Sequence, residues 1–266
     1  MTVALIIPAR FASTRYPGKP LAMLRGVGGK AASLIERSWH AANDVAGVDR
    51  VVVATDDDRI RDAAQSFGAE VVMTSSECRN GTERCAEAVQ NMGITPEIVV
   101  NLQGDAPLTP AWFIEDLIAG LRADPDAGLA TPVLRCSGQM RADLLAERAA
   151  GRVGGTTVVF GAQMQGLYFS KEVIPFAGGH YAPDDPTPVF HHVGVYAYRP
   201  DALAAYPTWP EGKLEKLEGL EQLRFLENGH RVLCVEVEGR GRQFWELNNP
   251  EDIPRIEAML AEMGAA

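Results

Sequence analysis

Arg10, Arg15 and Lys19 fall within one short stretch of this 266-residue chain, among the hydroxyls of Ser13 and Thr14 and a glycine at Gly18. Guanidinium and ammonium groups match phosphate oxygens in charge and geometry, so this inventory points to a polyphosphate ligand. The apolar run 3–7 ends at Pro8 just before it and reads as a buried strand. A cationic loop at the carboxyl end of such a strand is where an open α/β sheet binds its ligand. A solvated surface loop after a core strand is the plain alternative.

NLQGDAP at 101–107 is the second constellation. A carboxylate at Asp105 could hold Mg²⁺ against phosphates gripped by the basic loop. QGDAP would also suit a turn whose aspartate caps the helix opening near Pro110. NGTER at 80–84 puts Gly81, Thr82 and Arg84 at the start of a helix, where free backbone N–H groups can meet an anion or a base edge. An ordinary helix cap would look the same. The acidic triplet 56–58 reads as a solvated turn, and His191 and His192 face opposite sides of one strand. Glu215, Glu218 and Glu221 could meet sugar hydroxyls or simply form a charged helix flank. No GxGxxG, GxSxG, HExxH or Walker A pattern occurs, which removes the usual dehydrogenase, hydrolase and kinase readings.

The elements that must position these residues alternate. Strands are expected over 50–55, 69–74 and 97–105. Helices are expected over 30–43, around Ile60, Ala63, Ala64 and Phe67, and over 82–92 and 110–122. That alternation implies a parallel sheet with helices on both faces. Farther on, 156–160 and 165–170 look like an antiparallel pair, and 189–199 and 231–237 like strands. A long helix is expected over 214–228 and a last one over 249–263, with Asn249 as its N-cap and Pro250 at N1. The loop 176–188, rich in Gly, Pro and Asp, reads as exposed. The expected architecture is one α/β domain over 1–266, Rossmann-like and mostly parallel, with a smaller lobe inserted at about 135–200.

Bulk composition agrees. Hydrophobic and charged fractions of 46% and 23% are those of a globular chain. A net charge of −10 argues against non-specific nucleic-acid binding and makes the basic loop a local island. The four cysteines form no CxxC pair, so reduced thiols are expected. No apolar run approaches the ~18 residues of a membrane span, and no signal peptide is evident. A cytoplasmic protein without membrane contact is the expectation.

Taken together, IIPARFASTRYPGKPL, VATDDDRI, NGTER, VNLQGD, GLYFSKEVIPF, HHVGVYAYR, LEKLEGLEQLRFLENG and NPEDI resemble the 3-deoxy-manno-octulosonate cytidylyltransferase family, the CMP-Kdo synthetases. These segments run from residue 3 to residue 253 in family order. The resemblance implies the nucleotide-diphospho-sugar transferase fold, with the lobe used for sugar binding and dimerisation. The implied reaction joins CTP to Kdo or a related 3-deoxy-ulosonic acid, giving a CMP-sugar for lipopolysaccharide or capsule and releasing pyrophosphate, with Mg²⁺ and as a homodimer. Position by position, Arg10, Ser13, Arg15 and Lys19 would grip the CTP phosphates. Thr55, Asp56, Gly81, Thr82 and Arg84, with Gln103 nearby, would line the base and ribose pocket. Asp105 would bind metal, with Arg10 and Lys19 beside it in catalysis. His192, Tyr196, Glu215 and Gln222 would surround the sugar.

The chain departs from the family pattern at four places. Ala106 replaces a carboxylate, Asn248 stands where an aspartate usually ligates metal, Thr157 replaces a lysine and Lys171 an arginine. Asn248 keeps an oxygen donor without its charge. A different acid sugar, or a nucleotide-binding paralogue with weak catalysis, are the other readings these changes raise.

Overall fold

The computed structural model describes residues 2–12, 16–153, 155–241, 247 and 249–263. Its chain divides into two compact units, Met1–Glu115 with Gly241–Ala266, and Asp116–Arg240.

The first unit opens with β1 (Val3–Ala9), all seven residues buried. A hairpin follows, β2 (Met23–Arg25) against β3 (Ala31–Ser33), with Leu24 opposite Ala32. Then come α1 (Leu34–Asn43), β4 (Arg50–Thr55), α2 (Asp58–Ser66), β5 (Glu70–Met73), α3 (Gly81–Met92) and β6 (Ile98–Leu102). β1 pairs in parallel with β4 on one side and β6 on the other, and β4 pairs in parallel with β5. The order β5-β4-β1-β6 therefore reverses direction at β1. An open α/β sheet binds its ligand at such a reversal, beyond the carboxyl ends of the strands. The apolar runs of β1, β4 and β6 suit strands covered on both faces.

The sequence suggests one helix over 30–43, yet α1 starts at Leu34. Ser33 stops it: its Oγ accepts from Glu36 N at 3.3 Å while the Glu36 carboxylate accepts from Ser33 N, a reciprocal cap. Residues 31–33 are left to pair as β3. The helix α4 (Ala111–Ala123) carries the chain into the second unit.

That unit contains β7 (Leu129–Ser137), α5 (Gly138–Ala149), β8 (Thr156–Phe160), β9 (Gly166–Ser170), β10 (Pro186–His192), β11 (Val195–Tyr198), α6 (Pro200–Ala205), α7 (Lys213–Glu218), α8 (Leu223–Glu227) and β12 (Val232–Glu236). β8 and β9 form the expected antiparallel pair, with Val158 opposite Phe169. β10 and β11 both run antiparallel to β7, and β12 pairs with β7 in parallel. These pairings explain why the unit is wider than the lobe expected at 135–200. Residues 129–133 are zipped to 232–236, so the segments flanking that lobe pack with it.

The long helix expected over 214–228 is two. Gly219 takes the left-handed conformation (φ 61°) and closes α7, its N–H donating to Glu215 O at 2.7 Å. A leucine stripe does not report such a break, because each half keeps helical periodicity. The four cysteines are free thiols and buried, as expected of reduced residues.

The chain returns to the first unit with α9 (Ile253–Glu262). Asn249 caps the turn before it, donating its N–H to Asp252 Oδ2 at 2.7 Å. Ile256, Met259 and Leu260 join Leu24, Leu34, Leu108 and Leu247 in one apolar cluster.

Candidate active site

At the reversal of the first sheet, a cavity of about 200 Å³ is lined by Pro8, Ala9, Arg10, Lys19, Pro20, Leu34, Cys78, Asn80, Gly81, Arg84, Gln103, Gly104 and Asp105. Its two principal walls are the segments that leave β1 and β6. Gly104 passes so close to β1 that a Cβ would sit 3.0 Å from Pro8 O, and Ser38 Oγ on α1 donates to Gly104 O at 3.0 Å. Only a residue without a side chain lets the two strand ends meet.

The basic loop is held at its ends. Gly18 (φ 71°) donates its N–H to Phe11 O at 2.9 Å, and the Arg59 guanidinium lies 3.3 Å from the Phe11 ring centroid. The turn aims Lys19 inward, where Nζ donates to Asp105 Oδ2 at 2.6 Å. Arg10 remains exposed on the cavity rim. Ser13 and Arg15 lie outside the described residues.

The third wall is the start of α3. Asn80 caps it, its Oδ1 accepting from Glu83 N at 2.9 Å. Gly81 presses on Gln103: a Cβ there would lie 2.7 Å from Gln103 Nε2. The start of a helix facing a cavity is where backbone N–H groups meet an anion or a base. Arg84 is buried, donating to Thr74 Oγ1 at 2.5 Å, with Asp56 Oδ1 3.5 Å from its Nη2. Five residues expected at the nucleotide, Arg10, Lys19, Gly81, Arg84 and Gln103, therefore share this cavity with Asp105, expected at the metal. Thr55, Asp56 and Thr82 do not line it. Thr55 Oγ1 accepts from Asp57 N at 3.3 Å in the turn after β4, Asp56 supports Arg84, and Thr82 is buried within α3.

Sequence reasoning missed Cys78 and Asn80 in the cavity wall. Cys78 Sγ lies 3.1 Å from Glu87 Oε2; burial, reinforced by that carboxylate, pushes the thiol up to about 12, so it is a neutral wall and not a nucleophile. Asn80 carries a signal, its place before Gly81 at the helix start.

Magnesium fits this donor set. Asp105 Oδ1 has no hydrogen-bond partner among the described residues, and the carboxylate is a quarter exposed toward the cavity. Among the described residues no group of three or more His, Cys, Asp and Glu is placed to hold a metal ion by itself. One or two carboxyl-type oxygens completed by substrate phosphates and water is how Mg²⁺ is commonly held. Asn248 lies outside the described residues, but its neighbour Leu247 donates its N–H to Asp105 O at 3.0 Å.

The residues expected at the sugar lie in the second unit. His192 ends β10, Tyr196 is on β11 and Gln222 precedes α8; all are buried. The His192 and Tyr196 rings are 5.7 Å apart, and Tyr196 OH donates to Gln222 Oε1 at 3.1 Å. Burial pushes His192 down to about 3 and His191 to about 4, so both are neutral. Glu215 is buried in an ion pair. Its Oε2 accepts from Arg224 Nε at 2.7 Å and its Oε1 from Arg224 Nη2 at 2.6 Å, with Tyr206 OH 3.3 Å from Oε1. This buried pair ties α7 to α8 across the break at Gly219.

Two departures from the family pattern also have structural roles. Thr157 Oγ1 donates to Glu172 O at 2.6 Å and accepts from Ile174 N at 3.0 Å. A Cβ on Gly219 would sit 3.1 Å from Lys171 Nζ, which places that ammonium at the C-terminus of α7, where a cation is favoured.

Comparison with known proteins agrees with this geometry. The family model described as Cytidylyltransferase matches residues 4–233. A 3-deoxy-manno-octulosonate cytidylyltransferase of Maricaulis maris is 47% identical over 264 residues, 99% of each chain. An 8-amino-3,8-dideoxy-manno-octulosonate cytidylyltransferase of Shewanella piezotolerans is 39% identical over 98% of this chain and 99% of its own. The solved structure of a CMP:2-keto-3-deoxy-manno-octonic acid synthetase complexed with CTP superposes with a TM-score of 0.81 at 33% identity, covering 99% of this chain and 100% of that one. A cavity built from β1, β6 and α3, and relatives aligned from end to end, lead to one conclusion: the chain belongs to the 3-deoxy-manno-octulosonate cytidylyltransferase family of nucleotidyltransferases.

Proposed function

We propose that the protein transfers CMP from CTP to Kdo or a closely related 3-deoxy-ulosonic acid, releasing pyrophosphate. The observation that carries this reading is the Lys19–Asp105 contact in a cavity rimmed by Arg10 and by the N-terminus of α3. Phosphoryl transfer asks a protein mainly for positioning and charge neutralisation, and those are what these groups supply. The sugar's anomeric hydroxyl attacks the α-phosphorus and gives up its proton to solvent, while the bond between the α-phosphorus and its bridging oxygen breaks and its electron pair leaves with pyrophosphate. Arg10 and Lys19 neutralise the β- and γ-phosphates, Ser13 and Arg15 complete the grip, and Gln103 and the α3 N-terminus orient the nucleotide. Asp105 and Asn248 would hold Mg²⁺, which when bound supplies positive charge to the phosphates. His192, Tyr196 and Gln222 are assigned to the sugar.

The wider assignments are parts of the same proposal. Buried free thiols support a cytoplasmic site of action, and the resemblance supports a homodimer, which light scattering in solution tests. The product would feed lipopolysaccharide or capsule synthesis. Among the described residues no helix is long and apolar enough to cross a membrane.

A second sugar is favoured by one observation, the relative named for an 8-amino-3,8-dideoxy substrate. Pyrophosphate release is therefore measured with CTP, Mg²⁺ and either Kdo or its 8-amino analogue. Release with Kdo is the expected result. Release with the analogue alone reassigns the sugar, and CTP binding without release from either supports a non-catalytic paralogue.

A further inference from the structure

Thr131 on β7 is fully buried, and its Oγ1 meets three groups where β10 gives way to β11. Val195 O lies at 2.9 Å, Val193 O at 3.3 Å and His192 Nε2 at 2.9 Å. A hydroxyl has one proton to give and two lone pairs. Both carbonyls can only accept, so the threonine proton goes to a carbonyl, and Val195 O is the nearer. The imidazole can then meet Oγ1 only as a donor. His192 Nε2 therefore carries the ring proton, and in a neutral ring the lone pair is left on Nδ1.

Among the described residues Nδ1 of His192 has no donor, and it is not one of the fully enclosed nitrogens, as His191 Nδ1 is. The Phe169 edge, 5.0 Å away at 77°, and the Tyr196 ring hold the imidazole in plane. Tyr196 OH in turn holds Gln222 Oε1, while Gln222 Nε2 is buried and has no partner. Gln222 Nε2 is enclosed, as His191 Nδ1 is, so the uncommitted atom that the cluster offers is the acceptor Nδ1 of His192. A hydroxyl can donate to it; a carboxylate can only accept.

We propose that Thr131 is a positioning residue that fixes His192 as the Nε2–H tautomer, making the His192–Tyr196–Gln222 cluster selective for a hydroxyl of the acid sugar over its carboxylate. This rests on the reading that the cluster meets the sugar. Thr131 lies about sixty residues from its partners, and no motif marks it.

Long-range proton–nitrogen correlation spectra of the full-length protein, with kinetics of Thr131→Val, Thr131→Ser and His192→Asn, test it. Wild type and Thr131→Ser are expected to show a protonated Nε2 and a lone-pair Nδ1. Thr131→Val is expected to show mixed tautomers and a KM for the sugar raised roughly ten- to a hundredfold, with the KM for CTP unmoved, as for an unmet buried group. A proton on Nδ1 in the wild type overturns the proposal. So does a Thr131→Val protein with unchanged tautomer and sugar KM. If Thr131→Val does not fold, the spectra of the wild type and the serine variant still decide the tautomer. A His192→Asn enzyme with unchanged sugar KM removes the assignment of the cluster to the sugar, whatever the tautomer, and so separates that failure from the first.

Discussion

Lys19 Nζ and Asp105 Oδ2, 86 residues apart in the chain, lie 2.6 Å apart in the cavity. The cation of the phosphate loop and the carboxylate proposed for the metal thus neutralise one another before any ligand arrives. On the proposed reading, triphosphate would offer the ammonium a second set of anionic oxygens and Mg²⁺ would offer the carboxylate a second cation, so that binding of the two would be coupled.

Asp105→Asn is expected to lower kcat by on the order of 10²–10³-fold, the usual loss when one preorganised electrostatic group leaves a reacting centre. Calorimetric CTP binding without Mg²⁺ should persist, because Arg10 and Lys19 are untouched. A kcat within twofold of the wild type would remove Asp105 from the metal.

Asn248→Asp is expected to lower the Mg²⁺ concentration for half-maximal rate, since it adds a charge beside Leu247, which is bonded to Asp105. A magnesium titration of initial rates reads this directly. An unshifted midpoint counts against Asn248 as a ligand.

Gly81→Ala separates fold from function. Its Cβ would sit 2.7 Å from Gln103 Nε2, so the amide must move and the KM for CTP is expected to rise about tenfold, roughly the cost of a lost hydrogen bond. Alanine is a better helix residue than glycine by about 1 kcal/mol, so thermal stability should hold. A falling melting temperature with unchanged KM would contradict the placement.

Arg224→Met should destabilise the protein by roughly 3–5 kcal/mol, since it leaves the Glu215 carboxylate buried without its cation. Adding Glu215→Gln should recover part of that loss. Denaturant unfolding of the two variants measures both, and a neutral Arg224→Met would show that the pair is not structural.

His191 and His192 set an acid limit. Their folded values, about 4 and about 3, lie below the ordinary 6.5, so the unfolded chain binds more protons at acid pH. Their contribution is fully present above pH 6.5 and is lost as pH falls through 6.5 toward 4 and 3, at a slope approaching about 1.4 kcal/mol per pH unit for each. His191→Gln should flatten the curve of unfolding free energy between pH 6 and 4; an unchanged slope would disprove it.

Much of this was legible in the residue order. The apolar runs 3–7, 50–55 and 97–105 and the amphipathic stripes between them already specify strand–helix alternation, because periodicity is a local property. The charges of Arg10 and Lys19, the carboxylate of Asp105 and the glycine of NGTER are likewise visible as chemistry, beside the plainer readings of a surface loop, a turn and a helix cap. Only the tertiary structure could join them. The parallel pairing of β1 with β6 brings Lys19 to Asp105, and Gly81 meets the Gln103 side chain because glycine leaves room for it. The same holds for contacts that no local pattern shows. Glu215 looks like any glutamate on a charged helix until Gly219 breaks that helix and Arg224 folds back onto it. Thr131 has no motif at all, since its role depends on which lone pairs face one hydroxyl, and strand pairing alone decides that.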